Sequence, residues 1–362
     1  MIAVRKRLAA RPMHGVDHDC HHVQGNAGAG LFHRNEGRRI EPKRPSSRDM
    51  IWPVFNSVAA PRYGLILLYH SVLEEIPQDL AGGLHNVRPH IFAEQVDWLA
   101  RHFEIMALDD FMALDDVRGK AAITFDDAYR SVFDHGLPIL KSRGLPTTIF
   151  INADTMQGGV FWRDKVRYLI ANDLVADFIA FRRDRWPDCR DLEPARFYRQ
   201  SKTPAINSHE LNEQIDAFAE YSKSQDDFAG LASYIVAEDA LVDDPLVTYG
   251  NHSCGHYVLS SLDRDQQSTE IRDNQAVLER LKLPMSDVFA FPFGGITDFD
   301  DDTLSILRED GYSGAVLSRF RLNGKKRYQG FCAERWMPPD DMAGFHRRLA
   351  VLRVREMERQ FK

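Results

Sequence analysis

The sequence predicts an α/β protein, a single barrel of strands alternating with helices that carries one long insertion. Three observations point there. Short apolar runs recur with amphipathic helical stretches between them, which is the pattern of successive βα units. The 362 residues suit one barrel of roughly 200–250 residues plus an insertion better than two equal domains. Ligand-type side chains also stand directly after apolar runs, at the strand ends where α/β folds gather their active sites.

The elements follow in order. Leu65-Ile-Leu-Leu-Tyr-His70 reads as a buried strand. A polar loop then leads to a helix near 90–103, whose Phe92, Val96, Leu99 and Phe103 share one face. Residues 121–125 form a strand that delivers Asp126-Asp127. Ser131–Arg143 reads as a helix closed by Gly144 and kinked at Pro138, and 146–152 as the next strand. An amphipathic helix over 161–170 opens a weakly patterned, mainly helical section to about residue 244, long enough to form a lid or groove wall. Its Trp162, Trp186, Phe197 and Tyr198 either stack on a ligand ring or fill a core. Leu246–Gly250 is a strand followed by His252-Ser-Cys-Gly-His256. Ser260 or Ser261 caps a helix to about Leu281, and 287–291 is a strand running into Pro292-Phe-Gly-Gly295. Asp298–Asp310 is a helix ending at Gly311, 313–317 a further strand, and 341–362 a terminal helix.

Two of these motifs carry chemistry together. Two imidazoles and one carboxylate leave open positions on a divalent ion, as a catalytic site requires. Water on such an ion can fall from a pKa of 15.7 to about 7, and a second carboxylate can take its proton. Each motif alone has a blander reading. An Asp pair at a strand end can be a turn or a helix cap, and two His four apart can share a helix face without a metal. The strand before His252 and the glycine within its motif favour a loop at a strand end. Cys254, between the two His, is a further nucleophile candidate that the metal set makes superfluous.

With Thr124-Phe-Asp-Asp127, His252-Ser-Cys-Gly-His256 and Phe289-Ala-Phe-Pro-Phe-Gly294 in this order, the chain resembles the NodB-type polysaccharide deacetylases, carbohydrate esterase family four, over roughly residues 63 to 340. The resemblance implies a deformed, incomplete (β/α) barrel spanning about 60–340, with a mainly helical insertion at about 174–244. It implies that Asp126 is the general base and that Asp127, His252 and His256 bind a divalent metal, zinc first, with cobalt, manganese or nickel also suited. It places Pro292, Phe293 and Gly294 along the substrate groove, with the Phe293 N–H assisting the oxyanion. The implied reaction removes an N-acetyl or O-acetyl group from a sugar.

The departures matter as well. Ala128 stands where the family often has Gly, and Val288-Phe289 where an Arg often opens the third motif. Arg335, counted here among the groove residues, is the candidate to orient Asp126 in that Arg's place. The late Leu-x-His that usually supplies the general acid is not evident, since the only His after Arg335 is His346, in the terminal helix. A branch of the family with rearranged strand order carries a His at the end of its first strand, which points to His70 as the acid; alternatively, His70 satisfies a local hydrogen bond.

Composition bounds the rest. A net charge of −7 argues against general nucleic-acid binding. Residues 1–49 hold ten Lys/Arg against five Asp/Glu, without an apolar period, and read as a disordered basic tail, with Met50 an alternative start. His18, Cys20, His21 and His22 in that tail are a further metal-binding candidate. Neither a signal peptide nor a membrane span is visible, so the expected location is the cytoplasm. Four cysteines without C-x-x-C spacing suggest no disulfide framework. The leading expectation is a metal-dependent deacetylase of a polysaccharide or lipid-linked oligosaccharide. Its rivals are an O-acetyl esterase or deformylase with the same machinery, and a catalytically silent sugar-binding protein.

Overall fold

The computed structural model describes residues 61–81, 83–324 and 330–360. The tail over 1–49, Met50 and the group of His18, Cys20, His21 and His22 lie outside the described residues. The strands, in chain order, are β1 (Leu65–Tyr69), β2 (Glu104–Ile105), β3 (Lys120–Phe125), β4 (Thr147–Ile151), β5 (Val247–Asn251), β6 (Met285–Ala290), β7 (Gly314–Leu317) and β8 (Cys332–Glu334). They pair in parallel in the order β1-β3-β4-β5-β6-β7-β8, with β2 added beside β3. Just past β8, the Trp336 N–H donates to Ile66 O and the Leu68 N–H to Trp336 O. The sheet thus curls back on its first strand, a nearly closed (β/α) barrel.

Residues of β1 and β4 are buried throughout, as expected for parallel strands covered on both faces. Alternation along the strands divides the core. Ile66, Ala122, Phe150, Val288, Ala290, Val316 and Ala333 pack together with Phe111 and Met112 of the helix Leu108–Ala113. Their neighbours on the strands pack against the outer helices, among them Pro89–His102.

Local sequence rules held in some places and lost in others. The helix Arg264–Leu281 is capped by Asp263 in a capping box with Gln266, and not by Ser260 or Ser261, which lie in the preceding 3₁₀ turn Leu259–Ser261. The expected helix over 131–143 is a wide π turn, Val132–Gly136, followed by Leu137–Lys141 with Pro138 in its first turn, where the missing N–H costs nothing. Gly144 follows in the left-handed region at φ 64°.

Between β4 and β5 the chain forms the helices Trp162–Ala171, Val175–Arg185, Ser208–Ser222 and Gln225–Leu231. Trp162 and Phe197 are buried in this helical core and Trp186 packs against it, while half-buried Tyr198 turns toward the barrel rim. The helix Met342–Gln360 follows the last strand, with His346 packed beside Trp98 and Phe345. Among the described residues no helix is long and apolar enough to cross a membrane.

Candidate metal centre and cleft

Because the strands are parallel, everything that follows a strand lies on one rim. His70 follows β1, Asp126 follows β3, His252 follows β5 and Arg335 follows β8. Asp126, Asp127, His70, His252, His256 and Phe293 line one cleft of about 270 Å³ at this rim.

The backbone is forced to bring them there. Eight non-glycine residues among those described have positive φ, and five of them, Asp127, Ala128, Ser253, His256 and Phe293, belong to the three motif loops. Left-handed backbone costs an ordinary residue roughly 1–2 kcal/mol, so the surroundings must over-determine it. Buried amides do so. Asn152 Nδ2 donates to the carbonyls of His252 and Ser253, at 2.6 and 2.9 Å. Asn251 Oδ1 accepts from Ser253 N–H and from Asn274 Nδ2. On the Asp side, the Val236 N–H donates to Ala128 O at 3.0 Å, and Tyr129 OH donates to Asp164 Oδ1 at 2.9 Å. Gly294 has no alternative, since a Cβ there would collide with the Ser318 backbone nitrogen.

The donor set fits a metal ion. One ligand atom from each of Asp127, His252 and His256 lies within 4.8 Å of the others. The Nε2 atoms of both His stand 3.4 Å from Asp127 Oδ1. Asp127 Oδ1 and His252 Nε2 are buried without a hydrogen-bond partner, a costly state unless a cation answers it. His252 Nδ1 lies 2.8 Å from Ala290 O, so its proton sits on that side and the Nε2 lone pair faces the cleft. Burial, joined by the neighbouring imidazole of His252, brings His256 down to about 3 despite Asp127, so it stays neutral as a ligand must. Burial would raise Asp127, but the imidazoles of His256 and His252 hold it well below the carboxylate range.

Asp126 has a different partner. Arg335 Nη1 and Nη2 donate to its two oxygens at 2.6 and 2.7 Å, a fully buried bidentate pair. Burial alone would push its carboxyl up; Arg335 and then His252 hold it below the usual range. His70 Nε2 stands 3.9 Å from Asp127 Oδ2. Burial lowers the His70 pKa, and the charges of Asp127 and Asp126 counter this. Phe293 lines the cleft, and its N–H has no partner among the described residues, while Pro292 and Gly294 shape the turn behind it. Cys254 is no nucleophile in waiting, because burial and the nearby Asp154 carboxylate push its thiol far up.

Sequence reasoning missed several lining residues. His85, whose ring is 5.5 Å from that of His70, donates from Nε2 to Pro338 O. Arg163, Arg167, Tyr198 and Lys202 enter from the segment between β4 and β5. Of these, Tyr198 is one of the aromatic residues the sequence offers for ring stacking; no local pattern marks Arg163, Arg167 or Lys202, since only the folded segment sets them facing the Asp and His loops.

The polysaccharide deacetylase family profile matches residues 115–176 and 236–315. Those stretches carry the Asp pair, the His motif and the Pro292 turn, and residues 177–235 between them belong to the helical segment. The deacetylase PplD of Streptococcus pyogenes, solved with acetate, is 16% identical over 81% of this chain and 98% of its own, with a TM-score of 0.47. IcaB of Ammonifex degensii is 17% identical over 81% of this chain and 97% of its own, also at 0.47. A de-N-acetylase of Aggregatibacter actinomycetemcomitans is 10% identical over 79% and 99%, again at 0.47. No curated protein matches the sequence.

Proposed function

We propose that this chain, which is a NodB-type polysaccharide deacetylase, removes N-acetyl groups from amino sugars of a polysaccharide or lipid-linked oligosaccharide with the help of a divalent metal. The observation that carries this reading is the pairing of two adjacent carboxylates with different partners, Asp127 with two imidazoles and Asp126 with Arg335. A metal held by Asp127, His252 and His256, zinc before cobalt, manganese or nickel, would acidify a water and polarise the acyl carbonyl.

The chain's own residues do the rest. Asp126, kept ionised and fixed in orientation by Arg335, takes a proton from the attacking water. The water oxygen bonds to the acyl carbon, and the free Phe293 N–H stabilises the oxygen that becomes negative. His70 gives a proton to the sugar nitrogen as the C–N bond breaks, leaving a free amine and acetate. That role needs His70 protonated, which its burial opposes and the charges of Asp127 and Asp126 favour. Asp126 and His70 both border the cleft beside Asp127, so base and acid flank one reacting group.

Acetate release from N-acetylated oligosaccharides, with metal added and with metal chelated, tests the reading. Asp126→Asn should abolish release while metal stays bound; an unchanged rate in that variant would remove Asp126 from the role of base. Release from O-acetylated but not N-acetylated sugars would favour the esterase alternative. Bound metal and bound sugar without release from either would favour a silent sugar-binding protein.

A further inference from the structure

The side of the cleft facing the Asp and His loops holds two cations that form no ion pair among the described residues. Arg163 is 1% exposed, yet among the described residues its guanidinium makes no ion pair. Its hydrogen bonds go to neutral groups, Ser201 Oγ at 2.9 Å and Tyr198 O at 3.4 Å. Lys202 is half-buried and makes neither an ion pair nor a hydrogen bond among the described residues. Both cations flank the same two rings. Arg163 Cζ is 4.8 Å from the centre of the Tyr198 ring and 5.5 Å from that of Phe293; Lys202 Nζ is 4.9 and 5.9 Å from them. Phe293 in turn packs 4.9 Å from the His256 ring, which sets the cations about one aromatic ring from the metal-type ligands.

The nearby acids are already engaged. Arg167, the third cation of the cleft, pairs with Asp164, which also accepts from Tyr129 OH. Asp298 accepts the Gly295 N–H and acts on Lys202 through space, without an ion pair between them among the described residues. Asp126 is held by Arg335. A buried guanidinium without an ion-pair partner is strongly disfavoured, and burial, aided by Arg167, duly lowers Arg163 to about 10. Tyr198 is lowered too, since Arg163, Arg167 and Lys202 outweigh the effect of its burial. Pure packing would be met more cheaply by an apolar side chain of similar volume.

We propose that Arg163 and Lys202 form an anion subsite, taking a carboxylate or phosphate of the substrate that lies next to the sugar carrying the acyl group. The inference rests on the hydrolase reading for what the neighbouring centre does and deepens it by naming the substrate class, an acidic N-acetylated glycan or glycosyl phosphate. The rings of Tyr198 and Phe293 keep the cations extended, so little side-chain freedom is lost when the anion docks.

Acetate release and equilibrium binding are measured side by side with three compounds: neutral chitotriose, a hyaluronan tetrasaccharide as carboxylate, and uridine diphosphate N-acetylglucosamine as phosphate. At least one anionic compound should exceed chitotriose by about tenfold or more in kcat/KM, carried by KM, since charge-assisted contacts are the stronger kind. Lys202→Met should collapse that preference and Lys202→Arg should retain it. Arg163→Met should act in the same direction, and should its buried position prevent folding, the Lys202 pair decides. The favoured anion identifies the carboxylate or the phosphate as the source. Release without preference for either anion, or a preference that survives Lys202→Met, overturns the subsite alone. Lys202-dependent binding of an anionic compound with no release from any compound supports the subsite and sinks the hydrolase reading, and equal binding of all three with no release overturns both.

Discussion

Along the barrel rim Asp126 and Asp127 each have close partners, whereas on the side built between β4 and β5 Arg163 and Lys202 form no ion pair among the described residues. Asp126 faces Arg335 and Asp127 faces two imidazoles, and the strained backbone of the His loop is pinned by buried Asn side chains. Across the cleft, Arg163 and Lys202 are steadied by aromatic rings, and Arg163 also by the Ser201 hydroxyl, which hold position without cancelling charge. The difference separates two tasks. A reacting centre needs its protonation states fixed before substrate arrives, while a recognition surface gains by leaving a charge for the substrate to complete.

Variants can break or sharpen this division. The largest effect is expected from Asp127→Ala, which should cost metal occupancy and on the order of 10³-fold or more in kcat/KM; metal analysis beside acetate release checks it, and full occupancy would remove Asp127 from the ligand set. Arg335→Met should come next, destabilising by about 3–5 kcal/mol because it strands a buried carboxylate. Its pH profile carries a sign. Arg335 lowers the Asp126 pKa, so its loss raises that pKa, and the acid limb of kcat/KM should move to higher pH.

A third effect of similar origin lies behind the His loop. Burial, helped by Asp154, holds Glu270 up to about 7 against an ordinary 4.5, although the Gly255 N–H donates to it. Its protonated form is therefore favoured in the fold. Stability should fall by about 3 kcal/mol as pH rises from 4.5 through 7 and then level off. Chemical denaturation of chelator-treated protein should show this fall, and Glu270→Gln should flatten it; an unaltered curve would refute the assignment.

Smaller changes probe the seam between the two regions. Trp162 Nε1 donates to His256 O at 2.9 Å, so Trp162→Phe should cost about 1 kcal/mol and weaken metal binding less than tenfold, measurable by chelator competition. A loss as large as that of Asp127→Ala would mean that the helix Trp162–Ala171 builds the metal centre and does not merely face it. Ala128→Gly relieves a φ of 52° but loosens the unfolded chain, for a net gain under about 1 kcal/mol, read as a small rise in Tm.

Much of the barrel was legible because buried parallel strands are continuous apolar runs, and β1, β3, β4, β5, β6 and β7 each contain one. Two strands escaped notice. With two residues in β2 and three in β8, neither is long enough to show a period. The cap of the helix Arg264–Leu281 was misread because Ser260, Ser261 and Asp263 are all good capping residues, and only the 3₁₀ turn decides which of them stands at the first helical turn. At the cleft, Asp126-Asp127 and the His252–His256 motif are local patterns readable from spacing. Arg335 emerged only from asking what could replace a missing arginine, and Arg163, Lys202 and His85 carry no local signal at all. Their meaning comes from which charges they face, and that is a tertiary fact.

The partner of Asp126 lies 209 residues further along the chain, immediately before the Trp336 that ties the last strand to the first. Closing the barrel and compensating the buried carboxylate are therefore one event. Until β8 docks, burying Asp126 is uphill, and a partly folded chain is biased toward keeping this rim open to water. Non-local closure of this kind is slow, so the pairing that keeps Asp126 ionised is expected to form late in folding. A chain stopped short of it would carry the Asp and His motifs intact and remain without a poised carboxylate.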